Sequence, residues 1–404
     1  MEKRELVIIG AGPAGMSAAI YGRRSGLDVL VLEKTKTGGQ INITDEIENY
    51  PGVAHATGPE LGEMLHKHAM KFETEIRMVD DSKVELRGDK KIVVTHKGDE
   101  TNEIEAEAII VATGAHFRRL GCAGEAEHIG RGVSFCAVCD AAFCEDLEVA
   151  VVGGGNTAVE EGNYLTKFAS KVYLIHRRDE FRADRAAIEQ VLANPKMEPV
   201  YNTVVDEIQD REPEDDDDMR MLNLVLKNVK TGETSNLPVA MVFMFVGQTP
   251  DDGCVNGLVE AKKGGWIVTN DHMETSVEGI FAAGDVRDKY LRQVITAASD
   301  GAIAAMAASS YINEQVHLRS TLLEPEKVTA FFYSSIDPEQ VKLSNAAEVK
   351  SKEKGIKTPI IDGYRNARMT EKLGLKDKLP ALVELSKGEV KNINSVSSEA
   401  DINF

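Results

Sequence analysis

A chain of 404 residues has room for two or three domains and an ample core. With 66 acidic against 47 basic side chains and a net charge of −19, nucleic acid and anionic membranes are poor candidates for partners. The longest clean apolar run, residues 239–246, is too short to cross a bilayer, and residues 2–5 lead straight into a short apolar run and a glycine loop rather than a secretory signal, so a cytoplasmic protein is expected.

The first elements form a strand–turn–helix. Apolar residues 6–9 read as a buried strand, and Gly10-Ala11-Gly12-Pro13-Ala14-Gly15 opens a segment of helical composition. In such a turn the first two glycines let backbone N–H groups approach a pyrophosphate, and the third lets the helix pack on the strand. Glu33 ends the next apolar run, 29–32, where an acid binds ribose hydroxyls and repels a 2′-phosphate, so an unphosphorylated adenosine is expected here. Residues 109–114 read as a further buried strand ending at Thr113 and Gly114, on the edge where a doubly wound sheet exposes its ligand crevice.

Cys136-Ala137-Val138-Cys139-Asp140 follows. Five cysteines, at 122, 136, 139, 144 and 254, are too few and too scattered for a secreted disulfide framework. In a cytosolic protein C-x-x-C is a zinc half-site or a redox pair, and zinc needs a second pair that the sequence does not offer; a buried, inert pair is the other alternative. The redox reading has a mechanism. A short helix after Phe135 would set Cys136 at its N-terminus, where partial positive charge favours thiolate. Asp140 is then placed to protonate a departing thiolate, with a solvated or helix-capping aspartate as its competitor.

A second strand and fingerprint, Gly153-Gly154-Gly155-Asn156-Thr157-Ala158, begins after the apolar run 149–152. For either fingerprint taken alone, a glycine turn that binds nothing is the alternative. At the offset where the first half carries Glu33, the second carries His176, followed by Arg177, Arg178 and Arg182. The charge has changed sign. Guanidinium forks bind phosphate oxygens in pairs, so NADPH rather than NADH is expected, against the alternative of a solvated basic helix start. Residues 210–218 carry seven acids in nine and read as an exposed loop between two strands. Residues 279–285 form a last buried strand ending at Gly284 and Asp285, so the second nucleotide unit interrupts the first.

These motifs, together with Thr37-Gly38-Gly39-Gln40 and Asn49-Tyr50-Pro51-Gly52, make residues 1 to about 314 closely resemble low-molecular-weight thioredoxin reductases. The resemblance implies an α/β protein of two Rossmann-like three-layer domains, the second inserted into the first. FAD would be bound by 1–116 and 246–314, and NADPH by 117–245, which also carries the dithiol. Gly39, Gln40, Asn49, Asp285 and the run Arg292-Gln293-Val294 would contact or close over FAD, while Thr157, Arg177, Arg178 and Arg182 would meet NADPH. Cys139 would lie against the flavin, Cys136 would attack the disulfide of thioredoxin or a thioredoxin-like protein, and Asp140 would supply the proton. A rotation of the inserted domain about its connections near 114–118 and 244–248 and a homodimer are further implications. Two other readings stay open: a related flavoprotein feeding a peroxidase or another small redox protein, and a flavin-binding redox sensor.

The sequence departs from that family in three places. Val138 is apolar and β-branched where the family often has threonine, and 244–250 is looser than the usual pattern. The largest departure is the stretch 315–404. A strand at 327–333, a helix at 338–354, a strand at 356–361, a helix at 367–373 and a hairpin of 381–385 with 390–393 give the order of a thioredoxin fold. Leu379-Pro380 falls where that fold carries its cis-proline, and Ile336 to Glu339 falls where its redox cysteines would be. An unrelated small α/β domain is the alternative.

Overall fold

The computed structural model describes residues 1–44, 47–211 and 221–404, the side chains of 367 and 368 excepted, and the expected acidic loop at 210–218 lies largely outside the described residues. Two compact units result, Met1–Ser309 and Ser310–Phe404. The first unit begins with β1 (Glu2–Ile9), α1 (Pro13–Arg24), β2 (Val29–Glu33), α2 (Gly58–Met70), β3 (Glu75–Met78), β4 (Asp81–Arg87), β5 (Lys90–Lys97), β6 (Glu100–Val111) and β7 (Ala115–Phe117). The inserted half runs through α3 (Glu125–His128), β8 (Val133–Ser134), α4 (Ala137–Asp140), β9 (Glu148–Gly153), α5 (Asn156–Leu165), β10 (Lys171–Ile175), α6 (Arg185–Ala193), β11 (Met197–Val200), β12 (Thr203–Arg211), β13 (Met221–Asn228), β14 (Thr234–Val239) and β15 (Met241–Phe245). The chain then returns to the first half through β16 (Gln248–Pro250), β17 (Ile280–Ala282) and α7 (Val294–Leu318), whose residues from Ser310 on belong to the second unit.

Each half is built on a mostly parallel sheet. In the first the order is β3-β2-β1-β6-β5-β4, with β17 parallel to the end of β6, and in the second it is β11-β10-β9-β15-β8. Strands covered on both faces must be apolar throughout, which is why β2 reads Val-Leu-Val-Leu before Glu33 and every residue of it is buried. Phe243 of β15 and Phe281 of β17 are among the fully buried side chains. Truncating either to alanine costs about 3–5 kcal/mol. Helix starts follow local chemistry: Pro13 opens α1, and Thr57 with Glu60 forms a reciprocal capping box on α2. The two connections between the halves pair with each other, β7 antiparallel to β16, and make a narrow ribbon. Among the described residues no helix is long and apolar enough to cross a membrane.

The second unit contains β18 (Val328–Tyr333), α8 (Pro338–Glu353), β19 (Ile360–Asp362), α9 (Ala367–Lys372), β20 (Ala381–Ser386) and β21 (Glu389–Ser395). Its sheet order is β19-β18-β20-β21, with β18 parallel to β19 and antiparallel to β20. The strand expected over 356–361 starts only at Ile360, because Pro359 has no N–H to give the ladder and serves it through its carbonyl, bonded to Phe331 N–H at 2.9 Å. Leu318 and Leu322 pack with Phe332, Val383 and Leu385 in this unit's core.

Candidate active site

A cavity of about 860 Å³ opens at the C-terminal edge of the first sheet. Gly10, Gly12, Pro13 and Ala14 line it with Glu33, Gly39, Gln40, Thr113, Gly114, Gly284 and Asp285. Arg292, Gln293 and Val294 form part of its wall, and so do Cys136, Cys139 and Asp140 of the inserted half. Gly10 has φ +105°, and a Cβ there would lie 2.4 Å from the Ala112 carbonyl oxygen, so only glycine fits. Gly15 lies behind the loop, where a Cβ would meet the Gly10 carbonyl oxygen at 1.8 Å; its absence lets α1 pack on β1. Glu33 is buried, with Oε2 accepting the Ala11 N–H at 2.7 Å and Oε1 those of Lys34 and Thr35 at 2.9 and 2.8 Å.

The residues fit a flavin dinucleotide on a specific observation. Asp285 lines the cavity wall, and its Oδ1 is buried without a hydrogen-bond partner. Burial pushes its carboxyl up to about 6, against the opposing pull of Lys289 and Arg292. A buried acceptor left unpaired calls for a donor, and a polyhydroxyl chain lying along the cavity supplies one. The turn bearing Asp285 is held from below. Asp300 of α7 accepts the Gly284 N–H at 3.0 Å and pairs with Arg287 and Lys289, both at 2.8 Å. Arg292 stacks on Trp266 with its guanidinium carbon 3.8 Å from the ring centroid.

Cys136 and Cys139 form a disulfide at the start of α4. The Cys136 sulfur caps that helix by accepting the Cys139 N–H at 3.2 Å, the helix-start placement expected from the sequence. Gln293 reaches across from the first half, its Nε2 3.6 Å from the Cys136 sulfur and 3.8 Å from that of Cys139. Asn49 does not line the cavity but holds Gln293, donating to its Oε1 at 3.3 Å. Phe135 stacks on Phe117 of the connecting ribbon with ring centroids 5.0 Å apart. On the far side of the dithiol, Glu161 of α5 accepts the Ala137 N–H at 3.2 Å, and burial raises its carboxyl above the usual range. Asp140 accepts from the buried Ser134 hydroxyl, a partner that nothing in the sequence had marked. The other three cysteines are poor nucleophiles: burial pushes the Cys122 thiol up to about 11 and those of Cys144 and Cys254 up to about 12.

The second fingerprint is more open. Gly153 ends β9, Gly155 precedes α5, and Asn156, Thr157 and Ala158 form the first turn of that helix. Asn156 holds Asp184 by two hydrogen bonds, at 2.8 and 2.9 Å, and the Arg182 N–H bonds the Gly154 carbonyl at 2.7 Å. Arg177, Arg178 and Arg182 are exposed, whereas His176 is buried against the loop, where a Cβ on Gly154 would come within 2.3 Å of its ring. Burial and then the charges of Arg182, Arg178 and Arg177 lower the His176 pKa. The change of charge sign at this strand end is therefore carried by the arginines, with His176 as a packing residue.

A family model for pyridine nucleotide-disulphide oxidoreductases matches residues 4–301. The thioredoxin reductase of Peptoclostridium acidaminophilum is 46% identical over 315 residues, which are 76% of this chain and 96% of that protein. The Bacillus subtilis thioredoxin reductase is 43% identical, covering 79% of this chain and 98% of its own length. The chain belongs to the thioredoxin reductases. Among solved structures, thioredoxin reductase from Streptococcus pyogenes superposes with a TM-score of 0.71 at 45% identity, covering 77% of this chain and 99% of that one. The Lactococcus lactis thioredoxin reductase, described as in its FR conformation, gives 0.52 at 42% identity over 77% and 99%. As a thioredoxin reductase the chain is a flavoprotein that uses FAD and NADPH. Ser310–Phe404 lies beyond the span of the family model.

Proposed function

We infer that this protein reduces the disulfide of thioredoxin with electrons from NADPH, passed through FAD and the Cys136–Cys139 pair. The observation that carries this reading is a single cavity whose wall combines the first fingerprint, the unpaired acceptor of Asp285 and the redox disulfide. FAD, when bound, accepts hydride from NADPH and returns an electron pair to a disulfide.

The chain's own residues do the rest. Glu33 and the glycine loop would hold the adenosine end of FAD, Asp285 would accept from its hydroxyl chain, and Arg292, Gln293 and Val294 would close over it. Arg177, Arg178 and Arg182 meet the 2′-phosphate of NADPH, with Thr157 at the start of α5. Cys139 faces the flavin side, and Cys136 is the nucleophile toward thioredoxin. In the exchange, the Cys136 thiolate bonds one partner sulfur, and the other leaves with the bonding pair and takes the Asp140 proton. Cys139 then gives its proton to Asp140 and attacks Cys136, so the second partner sulfur leaves, takes that proton and the Cys136–Cys139 disulfide is restored.

A half-buried dithiol facing the cavity has no room for a protein disulfide as well, so the inserted half must turn about the β7–β16 ribbon between the two reactions. The Streptococcus and Lactococcus enzymes support this: similar identity and coverage but TM-scores of 0.71 and 0.52 fit two arrangements of the same halves. A homodimer is supported by apolar side chains left exposed on α1 and α7, Tyr21, Ile303 and Met306. The second unit is read as a thioredoxin-like module without redox chemistry. The order β-α-β-α-β-β supports that reading, and neither Ile336 nor Glu339 can form a mixed disulfide.

The deciding experiment is anaerobic NADPH oxidation with and without oxidised thioredoxin: turnover should require the partner and yield its dithiol in equal amount. Removing residues 315–404, a cut that takes away the whole second core from Leu318 onward, tests the module. A changed KM for thioredoxin with NADPH-to-dye activity intact indicates docking, and loss of FAD indicates a structural role.

A further inference from the structure

We propose that Ser134 is a positioning residue for proton transfer at the dithiol, holding the Asp140 carboxyl in one place in both of its protonation states. The inference rests on the reading of Asp140 as proton donor. Ser134 is buried at the end of β8, two residues before the nucleophile. Its oxygen accepts the Cys136 N–H at 3.1 Å, and its hydroxyl has two acceptors in reach, Asp140 Oδ2 and the Cys136 carbonyl oxygen at 3.4 Å.

A hydroxyl has one proton and two lone pairs, and this geometry uses all of them. With Asp140 ionised, the Ser134 proton goes to Oδ2 and one lone pair holds the Cys136 N–H. With Asp140 protonated, the acid donates to the second lone pair and the Ser134 proton turns to the Cys136 carbonyl. The carboxyl keeps its tether to the backbone of the nucleophile while its proton leaves for the partner's thiolate and returns from Cys139. Loss of that tether removes the hydrogen bond that links the carboxyl to the backbone of the nucleophile, and proton transfer falls steeply when the donor leaves hydrogen-bond reach.

Titratable groups enter the network from three elements. Cys136 and Cys139 flank it on α4, the Cys144 sulfur lies 3.5 Å from the Asp140 carbonyl, and Glu161 approaches Ala137 from α5. Gln293, against both sulfurs, is neutral.

The test compares two disulfides in the full-length holoenzyme. Oxidised thioredoxin releases an alkyl thiolate that needs a proton, while the aryl disulfide dithiobis-nitrobenzoate releases a thiolate stable without one. Ser134→Ala should lower kcat/KM for thioredoxin on the order of tenfold, with the loss confined to that substrate. It should also move the alkaline limb of the thioredoxin pH profile to higher pH, because the deleted hydroxyl favoured the carboxylate. Ser134→Thr should restore both. Equal losses with both disulfides, or an unmoved alkaline limb, would overturn the proposal. Asp140→Asn separates the two layers: if it slows thioredoxin reduction while Ser134→Ala does not, the positioning role alone fails. An unaffected Asp140→Asn enzyme removes the proton-donor reading and this inference with it.

Discussion

The two nucleotide-binding halves reach the same backbone solution and treat their ligands oppositely. In the first, the acid at the end of β2 is buried and its oxygens are engaged by three backbone N–H groups, in a wall that also contains an unpaired buried carboxylate oxygen. In the second, the corresponding strand end carries three exposed arginines. A deep cavity with prepaired acceptors suits a cofactor that stays, and an exposed cationic rim suits one that arrives and leaves. The glycine loops set where a pyrophosphate lies, and the residue type at the end of the second strand sets which dinucleotide lies there.

The two halves meet at the dithiol, which belongs to the second and lines a cavity walled by the first. Cys136→Ser and Cys139→Ser should each abolish reduction of thioredoxin while FAD stays bound and reducible by NADPH, as seen in the flavin absorbance under anaerobic titration. Retained thioredoxin turnover in Cys136→Ser would transfer the nucleophile's role to Cys139.

The halves also differ at the third fingerprint position. Gly15→Ala would drive a Cβ to 1.8 Å from the Gly10 carbonyl oxygen, although the second half carries Ala158 at the matching place. The variant should lose FAD on purification and several degrees in Tm, overpacking of this kind costing about 1–3 kcal/mol or more. Ala158→Gly should cost only about 1 kcal/mol through helix propensity. Equal outcomes for the two would show that the halves do not differ in how closely helix and strand approach.

The buried ionisable groups give the halves opposite pH signatures without their cofactors. Asp285 is raised from 3.8 to about 6, so the neutral form is favoured in the fold; this stability is complete below the unfolded value and lost as pH rises through about 6. In the FAD-free protein Asp285→Asn should therefore raise stability above that pH by up to about 3 kcal/mol and change little near pH 4. Thermal unfolding of the apoprotein at both pH values checks the sign. His176, lowered by burial and by the neighbouring arginines, loses stability instead as pH falls through its depressed value.

The smallest expected effect concerns nucleotide choice. Arg177→Ala and Arg178→Ala should each reduce the preference for NADPH over NADH about tenfold, through loss of charge-assisted hydrogen bonds to the 2′-phosphate, with NADH turnover little changed. Equal losses with both nucleotides would make these arginines structural.

Much of this was legible in the sequence because it is local. A nucleotide loop needs its glycines within six residues, a redox pair needs three-residue spacing, and a strand buried on both faces must be apolar throughout, so the strands and helices around each loop and most elements of the second unit could be placed from the residues alone. Even where a boundary shifted, at Ile360, the cause was one residue, Pro359, whose missing N–H the sequence already contained. Tertiary structure decided what depends on distance. Gln293 meets the cysteines from 157 and 154 positions away, Asp300 braces the Gly284 turn from the next helix, and burial determines that Asp285 is left unpaired while Ser134 is not. Sequence fixes each residue's hydrogen-bonding capacity, but whether that capacity is met by backbone, by a distant side chain or only by a cofactor depends on which elements the fold packs together.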